Sequence, residues 1–418
     1  MSILKGASQE RVPRRLNNKP GSKSYDVVVV GGFGHVGLPL AVSLAAEGLQ
    51  VCALDVNAAA LDGISQGVLP FKEDNCETAM RSALAAGTLH LSLDEAVVSD
   101  ADAVIIVIGT PVDEHLNPKF DHIWALVDSL APFLTDSQLV VLRSTLFPGT
   151  TEQIRRRLLE RGSNAEVAYC PERIAEGKAM EELHALPQLI AGCSPDAVRR
   201  CKELFGHLTA DLVELTPLEA ELAKLFINTW RYTLFATANQ YYMLANDHGV
   251  DFHRIHAALT HNYPRAQSMP TPGFAAGPCL FKDAMQLAAF NKHGFYMGHA
   301  AMLVNEGLPN YLVERLKMRW DLSVMTAGIL GMAFKAESDD KRESLSYKLR
   351  KVLRYEARAV LCSDVYIREE GFISTQELVL RSDVIFLGAP HQAYRALKIP
   401  REKIVVDIWN LWGSGCVI

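Results

Sequence analysis

Six residues that could wrap a phosphate, and a thiol set beside a lysine and an aspartate, are the parts of this sequence most able to do chemistry. Gly32-Phe33-Gly34-His35-Val36-Gly37 follows a β-branched run ending at Val30 and leads into an apolar helical stretch. In that setting the first glycine permits a tight turn and the second lets backbone N–H groups approach a pyrophosphate. The third lets helix and strand pack closely. Asp55 ends the next apolar run, about 20 residues on, where a carboxylate can accept hydrogen bonds from both ribose hydroxyls. It would repel a 2′-phosphate, and no arginine follows in Val56-Asn57-Ala58. NAD is therefore expected rather than NADP. Gly109-Thr110-Pro111 and Ser144-Thr145 close two further apolar runs, at strand ends where ligands sit in open α/β sheets. Each reads equally well as a plain turn.

Gly277-Pro278-Cys279-Leu280-Phe281-Lys282-Asp283 places a thiol in a turn just ahead of a helical pattern. A helix N-terminus with a lysine nearby favours thiolate, and Asp283 shares a face with Cys279 if the turn is helical. Standing alone, the motif also reads as a buried structural cysteine. Beside a dinucleotide site, a nucleophile that can hold an aldehyde would let an alcohol be oxidised past that stage. Of the eight cysteines, the others (52, 76, 170, 193, 201, 362, 416) lie mostly among apolar neighbours with no CxxC pairing. No metal site and no disulfide framework is expected, and reduced thiols fit a cytoplasmic protein.

The elements that must position these groups follow from periodicity. Tyr25–Val30, Gln50–Leu54, Val104–Ile108 and Leu139–Leu142 read as strands buried on both faces. Leu38–Glu47, Ile123–Leu134 and Thr150–Arg161 read as the helices between them. Glu166–Tyr169, Gln188–Ala191 and Leu212–Leu215 are candidate later strands. Alternation of this kind implies a parallel sheet with right-handed crossovers. From Pro217 a helical pattern runs to Asp247, and residues 262–278 are a loop rich in proline and glycine. A second alternation begins at Val324–Leu330 and continues through Arg342–Arg354, Ala359–Cys362, Val384–Leu387 and Ile404–Asp407.

The expected fold is therefore α/β, with two doubly wound Rossmann-like domains joined by a long central helix and a helical connector. Residues 1–24, with Lys5, Arg11, Arg14, Arg15 and Lys19, read as a mobile basic arm. The other boundaries fall at 25–216, 217–322 and 323–418. No repeat is visible at the level of sequence. A net charge of −6 argues against nucleic-acid binding. The longest apolar runs are far short of the ~20 residues a membrane helix needs, and no signal-peptide core follows Met1.

With these motifs in order, the chain resembles the nucleotide-sugar 6-dehydrogenase family, which includes UDP-glucose, GDP-mannose and UDP-N-acetylhexosamine dehydrogenases. The resemblance runs through GFGHVGLP (32–39), GTPVDEHLNP (109–118), RSTLFPGTT (143–151) and CPERIAEG (170–177). It continues with ELAKLFINTWR (221–231), YPR (263–265), GPCLFKD (277–283), GMAFKAESDDKRES (331–344) and VVDIWN (405–410). It implies oxidation of a sugar C6 alcohol to a carboxylate, with two NAD⁺ used per substrate, through a Cys279 thiohemiacetal and then a thioester.

By that resemblance Lys224 and Asn228 would stabilise oxyanions, and Asp283 with Lys224 would hold the catalytic water. Glu176 is the candidate for proton transfers, and Glu172, with Arg173, for support near the sugar. Arg265, Phe274, Gly277 and Lys335 would contact the substrate. Thr110, Thr145, Lys282 and Arg342 would lie near the cofactor, with Thr145 also counted among the catalytic set. The long helix near 218–247 would be the core of a homodimer.

The sequence departs from the family where His35 replaces a common tyrosine and where Phe274-Ala275-Ala276-Gly277 replaces a more glycine-rich turn. Its wording leans to the UDP-N-acetylhexosamine branch, mannosamine ahead of glucosamine, with UDP-glucose or a dTDP-hexose as alternatives. A single-step β-hydroxyacid dehydrogenase would need no Cys279, and a non-catalytic binding homologue would not need the intact set of polar residues.

Overall fold

The computed structural model of the chain describes residues 23–110, 112–113, 119–292, 294–413 and 417–418. The expected arm over 1–22, the core of the 109–118 motif and Cys416 lie outside the described residues. Lys23 and Ser24, counted with the arm, are instead tied to the first unit just ahead of its first strand. Lys23 Nζ donates to the Ala101 carbonyl (2.8 Å) and to Thr135 Oγ1 (2.9 Å), and Ser24 N donates to Asp100 Oδ1 (3.0 Å). Those bonds remove the freedom of a solvated tail. Packing divides the chain into two compact units. One runs up to Thr110 and resumes over Phe120–Leu222, and the other includes Ala223–Ile418.

The first unit holds β1 (Tyr25–Val30), β2 (Val51–Leu54), β3 (Leu89–Ser92), β4 (Ala101–Ile106), β5 (Leu139–Leu142), β6 (Glu166–Tyr169), β7 (Gln188–Gly192) and β8 (Leu212–Glu214). They form one sheet in the order β3-β2-β1-β4-β5-β6-β7-β8. Val27 and Val29 pack with Leu38, Leu40 and Val42 on one face, while Val28 and Val30 pack with Ile123, Val127 and Ile154 on the other. Helices cover both faces, so a strand of uninterrupted valines is the stable choice. The expectation of a wholly parallel sheet is corrected at β6 and β7, which pair antiparallel through Ala168↔Gly192. The chain between them returns from the end at which β6 stops, so no crossover is made. β3, with the half-polar sequence LHLS, gave no periodic signal; it is an edge strand paired only to β2 among the described residues.

The second unit opens inside the helix Pro217–Asp247, whose residues up to Leu222 belong to the first, and goes on with the helices Phe252–Thr260, Leu280–Phe290 and Tyr296–Lys317. It continues with β9 (Thr326–Leu330), β10 (Ala359–Ser363), β11 (Val384–Leu387) and β12 (Ile404–Val406). Tyr242, Phe252, Leu308 and Leu312 from the helices share a core with Ala327, Ile329 and Phe386 of the sheet. The opposite sheet face packs Leu330, Ile385 and Leu387 on Leu378. The helix expected over Arg342–Arg354 is Leu345–Glu356. Asp340 accepts the Arg342 amide (2.9 Å) and the Ser344 hydroxyl accepts the Ser346 amide (3.3 Å), so side chains hold this stretch in turns before the helix begins.

The small sheet is parallel throughout, in the order β10-β9-β11-β12, and so repeats β2-β1-β4-β5 of the large one. The likeness extends to single residues. Gly31 (φ +80°) and Gly331 (φ +89°) follow β1 and β9, and a Cβ at either would run into backbone beyond the neighbouring strand. Asp55 and Asp364 each sit one residue past the second strand and accept an amide from the turn after the first: Phe33 N to Asp55 (3.0 Å) and Met332 N to Asp364 (2.5 Å). The backbone thus repeats where the side-chain sequence does not. Among the described residues, no helix is long and apolar enough to cross a membrane.

Candidate active site

In the first unit the glycine turn separates two demands. A Cβ on Gly32 would lie 2.7 Å from the Val29 carbonyl oxygen, and one on Gly37 would lie 2.1 Å from that of Gly31. Both glycines are required by packing within the protein. Gly34 is different, since the nearest atom to its added Cβ is 3.7 Å away. Glycine there keeps an open approach to the backbone, as a pyrophosphate needs. Phe33 N binds Asp55 Oδ2, while Asp55 Oδ1 accepts the amides of Val56 (2.8 Å) and Asn57 (3.1 Å). The carboxylate is thereby held at the tip of β2 against the turn. Val36 precedes the helix Gly37–Ala46, and His35 stacks on Phe71 with ring centroids 4.2 Å apart. Two further strand ends are tied together: Thr110 Oγ1 donates to the Thr145 carbonyl (2.6 Å), and Ser144 Oγ accepts from Ile108 N (2.8 Å).

Glu172 and Glu176 lie on the loop beyond β6. Glu172 is buried, with its Oε2 accepting from Arg143 Nε (2.7 Å) and its Oε1 from the amides of Arg173 (2.6 Å) and Ile174 (2.8 Å). Arg143, 1% exposed, also donates to the Cys170 carbonyl (3.1 Å) and to Gln188 Oε1 (2.9 Å). Glu172 is thus built into the loop, which matches support better than proton transfer. The Arg173 guanidinium donates to the Pro187 carbonyl, and burial pulls its pKa below the usual value. Glu176 is half-buried.

In the second unit the long helix carries Lys224 and Asn228 one turn apart, 9% and 5% exposed. Cys279 is the N-cap of Leu280–Phe290, and its carbonyl accepts the Asp283 amide (2.9 Å), so the expected helical turn is present. Asp283 is fully buried. Asn228 Nδ2 donates to its Oδ2 at 2.5 Å and Lys282 Nζ lies 3.2 Å from its Oδ1. Residues 55 positions apart therefore meet behind an exposed thiol. Among the described cysteines only Cys279 is exposed. Burial pushes the thiols of Cys52, Cys76 and Cys193 up to about 12, which leaves them inert at neutral pH.

The turn ahead of Cys279 is fixed by residues that periodicity did not single out. Asn239 on the long helix accepts the Gly273 amide (2.9 Å) and donates to the Gly273 carbonyl (3.0 Å). Trp409 occupies the space a Gly273 Cβ would need, and Phe334 occupies that of Gly277, whose φ is +102°. The signal in the sequence for Asn239 is an asparagine within a largely apolar stretch of helix; the structure buries it fully, so its amide must find a partner. Phe274 was expected to contact the substrate, but its ring is in the core with Tyr242 and Phe252, so only its backbone can face a ligand. Gly277 N donates to the Glu343 carbonyl (3.3 Å), which joins this turn to the loop after β9. Lys335 Nζ lies over the Phe334 ring (5.5 Å), and Arg342 grips Asp340 with Nε (2.9 Å) and a terminal nitrogen (2.6 Å). Arg265 is exposed above the Tyr263 ring (5.2 Å).

Against known families, residues 26–209 match the NAD-binding domain of the UDP-glucose/GDP-mannose dehydrogenase family, 218–306 its central domain and 328–414 its UDP-binding domain. The chain belongs to that family. It is an NAD-dependent nucleotide-sugar dehydrogenase, an oxidoreductase, and the open cradle at Gly34 beside Asp55 fits the cofactor. A UDP-N-acetyl-D-mannosamine dehydrogenase of Pyrococcus horikoshii is 29% identical over 403 residues, covering 92% of this chain and 95% of its own. Among solved structures, a UDP-D-ManNAc dehydrogenase from Pyrococcus horikoshii superposes with a TM-score of 0.84 at 27% identity, covering 91% of this chain and 94% of its own. A UDP-glucose dehydrogenase from Pyrobaculum islandicum gives the same TM-score at 26% identity, covering 93% and 95%. The sequence resemblance to nucleotide-sugar dehydrogenases is thus borne out, as is the choice of NAD.

Proposed function

We propose that this dehydrogenase oxidises the C6 hydroxymethyl group of a UDP-N-acetylhexosamine, the mannosamine epimer first, to the uronate through a thioester on Cys279. The observation that carries the reading is the exposed thiol set one helical turn before a buried aspartate bound to Asn228. Residues 25–216 would hold the cofactor through Gly32–Gly37, Asp55, Thr110 and Thr145. Residues 217–322 would carry the thiol, and 323–418 the nucleotide. Bound there, NAD⁺ supplies the two-electron acceptor, once for the alcohol and once for the thiohemiacetal.

The chain's own groups do the rest. Glu176 takes the hydroxyl proton as the aldehyde forms. Cys279 Sγ adds to the aldehyde carbon, and its oxygen, gaining a proton, lies by Lys224 and Asn228. After the second oxidation the carbon is a thioester. Asp283, with Lys224, orients a water that attacks it; the C–S bond breaks, the thiol recovers a proton and the carboxylate leaves. Arg173, Arg265, Lys335 and the backbone of Phe274–Gly277 hold the sugar nucleotide, and Glu172 braces the loop.

A panel of UDP-, dTDP- and GDP-sugars scored by NADH release tests this. Two NADH per UDP-N-acetylmannosamine consumed are expected. One NADH per sugar would replace this reading with a single-step oxidation, and preference for UDP-glucose would shift the substrate to the one named for the Pyrobaculum islandicum relative.

The protein would act as a homodimer in the cytoplasm. Phe226, Ile227, Trp230, Tyr241 and Leu244 of the long helix are 41–59% exposed and recur at helical spacing, a face that a second copy could bury. Trp230→Glu should convert a dimer into monomers in sedimentation velocity. A variant with the wild-type sedimentation coefficient would exclude that face.

A further inference from the structure

The loop that carries Glu176 has its backbone amides gripped by carboxylates. Glu172 takes those of Arg173 and Ile174, and Glu182 Oε2 takes that of Ala175 (2.6 Å). On the far side of Glu176 the acceptor comes from a distant part of the chain. Glu73 Oε2 accepts from Gly177 N (2.7 Å) and its Oε1 from Ala179 N (2.6 Å), across more than 100 residues. Glu73 is 6% exposed and lies in the connection between the helices Ala58–Ser65 and Cys76–Ala86. Gly177, immediately after Glu176, has φ +85° and no atom within 4 Å of an added Cβ. The space a Cβ would occupy there is open, and Glu73 holds this backbone through its two hydrogen bonds. Two charge-assisted bonds from one buried carboxylate are the strongest hold available to such a segment.

We propose that Glu73 is a positioning residue for Glu176: by fixing the backbone of Gly177 and Ala179, it sets where the Glu176 carboxylate stands. This rests on the assignment of proton transfer to Glu176. Glutamine at position 73 keeps the shape but turns an amide donor towards one of the two N–H groups, so one bond is lost and two donors face each other. Aspartate keeps the charge on an arm one methylene shorter.

The test is a double-mutant cycle on the full-length enzyme, with kcat, KM for each substrate and the pH profile of kcat/KM measured for Glu73→Gln, Glu176→Gln and the pair. Glu73→Gln is expected to lower kcat by about tenfold and move the acidic limb of the profile, with KM for NAD⁺ changed less than about twofold. In the Glu176→Gln background the same change should cost almost nothing, because the group it positions is already gone. Glu73→Asp should restore part of the loss, and it reports on the same question if the glutamine variant fails to fold. An equal fold-loss from Glu73→Gln in both backgrounds would show a merely structural role and overturn the proposal alone. A Glu176→Gln enzyme with wild-type kcat would remove the proton-transfer assignment, and the proposal with it.

Discussion

Cys279→Ser is expected to abolish uronate formation while leaving nucleotide-sugar binding intact. Cys279 occupies the N-cap position of the helix Leu280–Phe290 without a side-chain capping bond and is exposed, and serine is a favourable residue at a helix N-cap, so the fold should not suffer. Chemistry should suffer severely. A hydroxyl is far less ionised than a thiol near pH 8 and a poorer nucleophile towards an aldehyde, and an ester hydrolyses more slowly than a thioester. A loss of about 10³-fold or more in acid production follows, equivalent to ~4 kcal/mol of barrier. The other described cysteines are buried or half-buried, and burial holds the thiols of Cys52, Cys76 and Cys193 at about 12. The measurement is uronate by mass spectrometry, together with NADH per sugar and a direct binding titration. Wild-type rates of acid formation in the variant would end the thioester mechanism.

The second large effect should fall on a different step. Asp283 has no exposed surface and bonds Asn228 and Lys282. Asp283→Asn retains its volume, and the amide can present its oxygen to Asn228 Nδ2, so the pair survives while the charge is lost. If Asp283 orients the hydrolytic water, both oxidations should proceed once and the acyl-enzyme should then persist. Rapid mixing is expected to give a burst approaching two NADH per active site, followed by turnover about 10²-fold slower than wild type. The peptide containing Cys279 should carry the mass of the uronyl group. A variant slowed equally in the first NADH, with no burst and no acyl peptide, would move Asp283 out of hydrolysis and into the support of Asn228.

Much of the candidate site is legible in the sequence, for local reasons. A glycine turn between a strand and a helix is set within about a dozen residues, and so is a cysteine at the head of a helix with an aspartate four positions on. Periodicity likewise marked the buried strands β1, β5, β6 and β11, because strands covered on both faces must be nearly all apolar. It failed at β3, where an edge position tolerates Ser92 and His90. It failed again before Leu345, where Asp340 and Ser344 compete with the helix for backbone amides.

By itself, then, the sequence determined the α/β class, the NAD turn, the thiol and the order of the motifs that place the chain in its family. Tertiary structure alone decided which distant partners hold them. Asn228 meets Asp283, Asn239 grips Gly273 and Glu73 straddles Glu176, each across 34 residues or more. It also reversed β7 against β6 and withdrew the Phe274 ring into the core. Hydrogen bonds of that reach carry no period. They arise because a buried polar group must find a partner, and only the folded chain determines which one is near.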